Sequence, residues 1–214
     1  MNSLDYINNM PHGVIAIVGS GKTFKSGTLY SLLEYCPEFK SRRKAFYKFP
    51  YVTKLFPKEL LGYSVDDYDD VEPDSICIIE DANRIFPSRA SSKSVDLQEF
   101  LGLISHKDIL IMLTIQNTSN TDVAFFRDQD VVMIHKKMNM TAVSYERDEF
   151  KMNCERGNYL IDQIADSQRV PVHYVSYLPR FGEVLVLDHP PSWYGYDQSH
   201  ALRDYKIHKK EAAE

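Results

Sequence analysis

Four short runs of almost unbroken apolar residues limit what this chain can become more than anything else in it. They are GVIAIV at 13–18, SICII at 75–79, ILIMLTI at 109–115 and DVVMIH at 130–135. A strand with one face in water alternates apolar and polar residues, whereas a strand covered on both faces of a parallel sheet reads as a continuous apolar run. Segments between the runs read as helices: residues 26–35 place Leu29, Leu32 and Leu33 on one face and stop at Pro37, and residues 95–105 form a second. Buried strands separated by helices predict an α/β fold, a largely parallel sheet flanked by helices.

The remaining segments are assigned with less help from pattern. Residues 44–49 are a strand candidate ending at Pro50, and 66–74 pack six acids into nine positions, which reads as a solvated loop. From 151 onward the pattern is less regular, with strand candidates at 172–177 and 183–187, a Pro-Pro pair at 190 and 191, and a short terminal helix over 199–205. Without internal repeats, 214 residues suggest one domain, 1–214, with a core at about 13–140 and a short C-terminal β/α extension at about 151–214.

Composition excludes several classes of function. A net charge of -5 argues against a protein that coats nucleic acid by bulk charge. Cys36, Cys77 and Cys154 form no CxxC pair, so neither a disulfide framework nor a zinc ribbon is expected, and a reducing compartment is the simplest reading. The histidines show no HExxH spacing, which argues against a metal cage built by the protein alone. No apolar run approaches eighteen residues and the N-terminus lacks a signal-peptide pattern, so the expectation is a soluble protein without a transmembrane segment of its own.

The chemistry starts directly after the first buried run. GSGKTFKS at 19–26 leads into the first helix, the position in which a phosphate-binding P-loop occurs. A phosphate chain needs backbone N–H groups curled round it at a helix N-terminus, a lysine for the β and γ phosphates and a hydroxyl for Mg²⁺. Gly19, Ser20, Gly21, Lys22, Thr23, Phe24, Lys25, Ser26 and Gly27 are the candidate nucleotide contacts.

Two registers compete within this loop. Lys22 and Thr23 would put the expected first glycine at Ala16, inside the strand. Lys25 and Ser26, counted from Gly19, give the right length but place Phe24 where glycine is usual, at a cost unless the backbone there keeps ordinary angles. Loop length favours Lys25 and Ser26.

Two later strand ends carry matching groups. SICII ends in Glu80-Asp81, two acids of which the first would help Ser26 hold Mg²⁺ and the second position the attacking water; the commoner order of such a pair is Asp then Glu, so the pattern leaves open which acid takes which task. ILIMLTI ends in Gln116, an amide able to sense a γ-phosphate.

With these residues in place the chain resembles the FtsK-HerA superfamily of DNA-pumping P-loop ATPases, with a RecA/FtsK-like core. Within it the resemblance is to the compact genome-packaging ATPases of icosahedral viruses that have an internal membrane. It covers about residues 13–137 and rests on VIAIVGSGKTFKSGTLYSLL, CIIEDANRIFPSR and ISHKDILIMLTIQNTSNTDVAFFRDQDVVMIHK, while LDHPPSWYGYDQSHALRDY looks like the tail of such proteins.

The resemblance implies an ATPase with ATP and Mg²⁺ as cofactors, Glu80 and Asp81 serving metal and water, and Gln116 as sensor. It also implies a homo-oligomeric ring, pentamer or hexamer, that moves double-stranded DNA. A basic residue would complete the neighbouring subunit's site, with Arg84, Arg89, Lys107 and Arg127 as candidates and Arg127 preferred; relatives often carry arginine at the place of Lys107. DNA phosphates would meet the small, modestly basic segment 89–94. A capsid vertex, or a portal or membrane component, would be the assembly partner, in the virion or the host cytoplasm. The competing readings are a small P-loop kinase, for which no arginine-rich lid is visible, a conjugation or secretion ATPase of the zonular-occludens-toxin type, and a nucleotide-binding protein that has lost hydrolysis.

Overall fold

The computed structural model describes residues 2–49, 51, 54–88, 94–127, 129–187 and 189–201. The apolar runs become strands of one sheet: β1 (Gly13–Val18), β2 (Arg43–Tyr47), β3 (Gly62–Val65), β4 (Ser75–Ile79), β5 (Leu110–Ile115), β6 (Val131–His135), β7 (Val175–Leu178) and β8 (Glu183–Val186). Their order is β3-β2-β4-β5-β1-β6-β7-β8. The first six pair in parallel, and β7 and β8 add antiparallel pairs at one side. Registration is tight at the centre, where Val18 stands opposite Ile115 of β5 on one side and His135 of β6 on the other.

Both faces of the sheet are covered, which is why its central strands are apolar throughout. On one face Ile15 and Ile17 pack against Leu29, Leu32 and Leu33 of α2 (Lys25–Tyr35), with α1 (Ser3–Asn8) and α3 (Pro37–Ser41) beside it. On the other, Val14, Ala16 and Val18 meet a layer that includes Leu97, Phe100 and Leu101 of α5 (Ser94–Leu103), and α4 (Ala82–Ile85), α6 (Ala124–Arg127) and α7 (Met140–Ser144) complete it. Each fully buried leucine of α2 is worth roughly 1.5–3 kcal/mol. That exceeds what helix propensity alone can supply to eleven residues.

Several boundaries differ from those expected. Tyr47 ends β2, because Lys48 takes a left-handed φ of +49° and turns the chain. Residues 172–174 form a 3₁₀ turn rather than strand, and α9 (Tyr196–Ser199) ends where the expected terminal helix was to begin; residues 200–201 form a turn, and residues 202–205 lie outside the described residues. Region 66–74 consists of bends and turns as expected, but Val71 is buried and Tyr68 stacks on Phe100 at 4.5 Å, so the acidic loop is pinned to the core.

The largest departure is α8 (Asp148–Gln168), a 21-residue helix where the pattern looked irregular. Its buried residues are Cys154, Gly157, Ile161 and Ala165, a sparse stripe of mostly small side chains facing β7. Partly buried Leu160 and Ile164 widen it, so the helix is amphipathic and its apolar period was present in the sequence, although it went unassigned there.

At the N-terminal edge of the parallel strands Arg42 acts as a staple. Its buried guanidinium donates to the carbonyls of Met10, Pro11, Asp74, Ser75 and Asp108, tying together the entrances of β1, β4 and β5.

Candidate functional site

At the opposite, C-terminal edge, β1 runs into loop 19–24 and then α2. The first N–H groups of a helix have no intrahelical partner, and α2 has no side-chain cap to satisfy them. They and the helix dipole make this terminus receptive to anions. The Lys25 amine curls back over the loop, donating to the carbonyls of Gly19 and Ser20 at 2.9 Å each. Burial lowers its pKa, while Asp81 and Glu80 oppose that shift. Thr23 Oγ1 donates to Ser20 O at 2.8 Å, and Lys22 is exposed.

Phe24 does not keep ordinary backbone angles. With φ +66° and ψ +32° it takes the left-handed conformation that glycine would adopt, at a cost of roughly 1–2 kcal/mol. Its ring offsets that cost. It meets Tyr174 edge-on at 5.3 Å, His173 at 5.8 Å and Tyr194 at 5.9 Å, contacts worth about 0.5–1.5 kcal/mol apiece. The ring also lies over Gly27, where an added Cβ would come within 2.1 Å of it, so a glycine is needed one turn into the helix instead of at its start.

The two other strand ends close the site. Since β5 lies between β1 and β4, Gln116 emerges between the loop and the acid pair. Ser26 Oγ and Thr114 Oγ1 both donate to Glu80 Oε2 at 2.8 Å, and the Asp81 N–H donates to Thr114 Oγ1 at 2.9 Å. Burial raises the Glu80 pKa, and the hydroxyl bonds partly offset it. Asp81, at φ +49°, turns outward at the start of α4.

A cavity of about 720 Å³ joins these groups, within the ~300–1,000 Å³ range of small-ligand sites. Gly21, Lys22, Thr23, Phe24, Lys25 and Ser26 line one side with Asp81 and Gln116; His173, Pro190, Tyr194, Gly195, Ser199 and His200 line the other. Glu80 lies behind Ser26, within the wall.

Of the basic residues expected to complete a neighbouring subunit's site, the three that are described lie away from this chain's own cavity. Arg127 is exposed at the end of α6, Arg84 is exposed and donates to Lys48 O at 3.3 Å, and Lys107 borders a separate acidic hollow with Asp66, Asp67 and Asp69. Arg89 and most of segment 89–94 lie outside the described residues. Sequence reasoning missed Thr114, although it is the only hydroxyl in ILIMLTI and so carried a signal. His173 and Tyr194 reach the site from about 150 and 170 residues along the chain from Phe24; Tyr194 lies in the tail segment quoted for the resemblance, but no local pattern marked either as a site residue.

The donor set suits a nucleotide and its metal: helix N–H groups without an intrahelical partner, a lysine held by two loop carbonyls, and a hydroxyl paired with a carboxylate. A parallel α/β sheet with such a loop after its central strand has the fold of the P-loop NTPases. Among solved structures it is similar to the genome packaging NTPase B204 from Sulfolobus turreted icosahedral virus 2 in complex with sulfate, with a TM-score of 0.54 and 14% identity over 84% of this chain and 99% of that one. The same protein in complex with ATP-gammaS matches at 0.51, with 13% identity over 85% of this chain and 98% of that one. The N-terminal domain of zonular occludens toxin from Neisseria meningitidis matches at 0.43, with 21% identity over 58% and 76%, too remote to weigh. No family model and no curated protein matches this sequence. Among the described residues no helix is long and apolar enough to cross a membrane.

Proposed function

We propose that this chain is an ATPase motor that uses ATP and Mg²⁺ to move double-stranded DNA, and that its task is packaging a viral genome. The observation that carries the nucleotide part is the hydrogen bond from Ser26, next to the loop lysine, to the buried Glu80 at 2.8 Å. It joins the strand-end acid to the helix start. The likeness to B204, named a genome packaging NTPase, supports the packaging part.

In this reading phosphate oxygens lie against the N–H groups of 21–27, and Lys25 exchanges its two carbonyl partners for β and γ oxygens. That exchange is between acceptors, so the lysine needs no new path. Ser26 and Glu80 would hold Mg²⁺, which supplies charge neutralisation on the phosphates. Asp81, facing the cavity, orients water toward the γ-phosphate, and Gln116 contacts the γ-phosphate from the neighbouring strand end. Arg127, exposed and away from its own chain's cavity, is available to a neighbouring subunit in a pentameric or hexameric ring, where a cation would stabilise transferred charge. The ring would pass DNA and dock on a capsid vertex or a portal or membrane component, in the virion or host cytoplasm.

Steady-state ATP hydrolysis with and without duplex DNA tests the reading. The expected result is DNA-stimulated turnover in the parent, lost in Lys25→Ala and Glu80→Gln. Turnover that survives Lys25→Ala but disappears in Lys22→Ala would show the other register to be correct. Phosphoryl transfer to a metabolite, insensitive to DNA, would replace the motor with a kinase.

A further inference from the structure

A second lysine lies hidden beside the loop. Lys136 follows β6, is 1% exposed, and donates its backbone N–H to Val18 O at 2.7 Å, in line with the last residue before the loop. The base of its side chain stands against Gly19, where an added Cβ would come within 2.6 Å of Lys136 Cβ. Among the described residues the amine has one hydrogen-bond partner, the Ser176 hydroxyl of β7 at 3.0 Å. Lys137 O accepts from Ser20 N at 3.3 Å and Ser20 Oγ accepts from Asn139 N at 2.9 Å, so this segment and the loop are stitched together.

The ionisable groups facing Lys136 are Lys25 from the head of α2 and His173 from the turn before β7. Among the described residues no carboxylate forms an ion pair with it. Arg42 at the other edge has five carbonyls to disperse its charge; Lys136 has one hydroxyl, which can equally donate to a neutral amine. A buried ammonium without a counter-charge costs several kcal/mol, so the amine is better off without its proton until an anion arrives. Burial, with Lys25 adding repulsion, pushes its pKa down to about 7.

We propose that Lys136 is a proton-coupled second cation of the phosphate site: when a nucleotide's phosphates occupy the loop beside Gly19, the Lys136 amine takes one proton from the solvent and becomes ammonium. The inference rests on the nucleotide-binding reading. Its consequence is that binding consumes a proton wherever the free amine is neutral. A group whose pKa is raised by the ligand favours binding below its free value and opposes it above. Affinity should therefore be flat with respect to Lys136 below about pH 7 and weaken up to about tenfold per pH unit above it. In that range the nucleotide's phosphates are already ionised, and His173, its pKa lowered by burial, stays neutral.

Calorimetric titration of the full chain with ATPγS and Mg²⁺ at about pH 8, in two buffers of different ionisation enthalpy, reads the proton directly. The parent should take up a substantial fraction of one proton per nucleotide. Lys136→Met, which has no proton to gain, and Lys136→Arg, already charged, should take up none, while His173→Gln should keep the uptake. Should Lys136→Met fail to fold, Lys136→Arg and the pH dependence of parent affinity still decide. Binding by the parent without proton uptake, or uptake that persists in a folded Lys136 variant, overturns this inference alone. Absence of any nucleotide binding by the parent overturns the nucleotide reading with it.

Discussion

Two buried cations at opposite edges of one sheet differ in the number of partners they have. Arg42, at the N-terminal edge, spends its guanidinium on five backbone carbonyls. Lys25, at the C-terminal edge, holds two carbonyls of its own loop beside an open cavity. A cation fully enclosed by protein acceptors has nothing left to offer a ligand and works as a staple. One held by few acceptors next to a void can trade them for something better. Parallel strands make the asymmetry systematic, since their C-terminal ends collect helix N-termini and the loops that carry groups.

The sharpest way to break this comparison is to delete both cations. Lys25→Ala should reduce ATP turnover roughly 100-fold or more, the scale for losing one preorganised charge contact, with little change in melting. Arg42→Ala should do the reverse: about 3 kcal/mol or more of stability lost in urea unfolding, from several buried carbonyls left unpaired, with ATPγS affinity of the folded fraction unchanged. If Arg42→Ala instead weakened nucleotide binding at undiminished stability, the division between staple and site would be wrong.

Phe24→Gly sharpens it at smaller scale. Glycine relieves the left-handed backbone but loses three aromatic contacts, so a net loss of roughly 1–2 kcal/mol is expected by thermal unfolding. A gain in stability would mean that the ring contributes less than the strain it causes.

Glu80→Gln should have the smallest effect on folding and an informative sign. Burial raises the Glu80 pKa in the folded chain, so its ionised form is disfavoured relative to the unfolded state. The penalty is absent below the unfolded carboxyl range near about pH 4 and grows as pH rises through the folded value. Glutamine should accordingly melt slightly higher than the parent at neutral pH, with the difference vanishing in acid. That gain would accompany lost turnover.

The strands could be read from sequence because a doubly covered strand must be apolar at every position. β1, β4, β5 and β6 therefore stood out, whereas β3, GYSV with three of its four residues at least partly exposed, did not; α8 carried a helical apolar period, Ile161, Ile164 and Ala165 among its members, that was legible but passed over. The site was half legible. Loop length pointed to Lys25 and Ser26, and strand ends pointed to Glu80, Asp81 and Gln116, because those groups follow the strands by fixed spacing. Thr114 could have been noticed as a hydroxyl in an apolar run. Tyr194, His173 and Lys136 could not, since nothing near them in the chain says what they face.

By itself the sequence determined the covered parallel sheet and which residues stand at its C-terminal edge, because strand burial and loop spacing are local properties of the pattern. Only the tertiary structure decided that Phe24 accepts a left-handed backbone and that Lys136 is enclosed beside the loop. Conformational strain and the charge of an amine depend on neighbours brought in from distant parts of the chain: the rings of 173, 174 and 194 for one, Ser176 and Gly19 for the other.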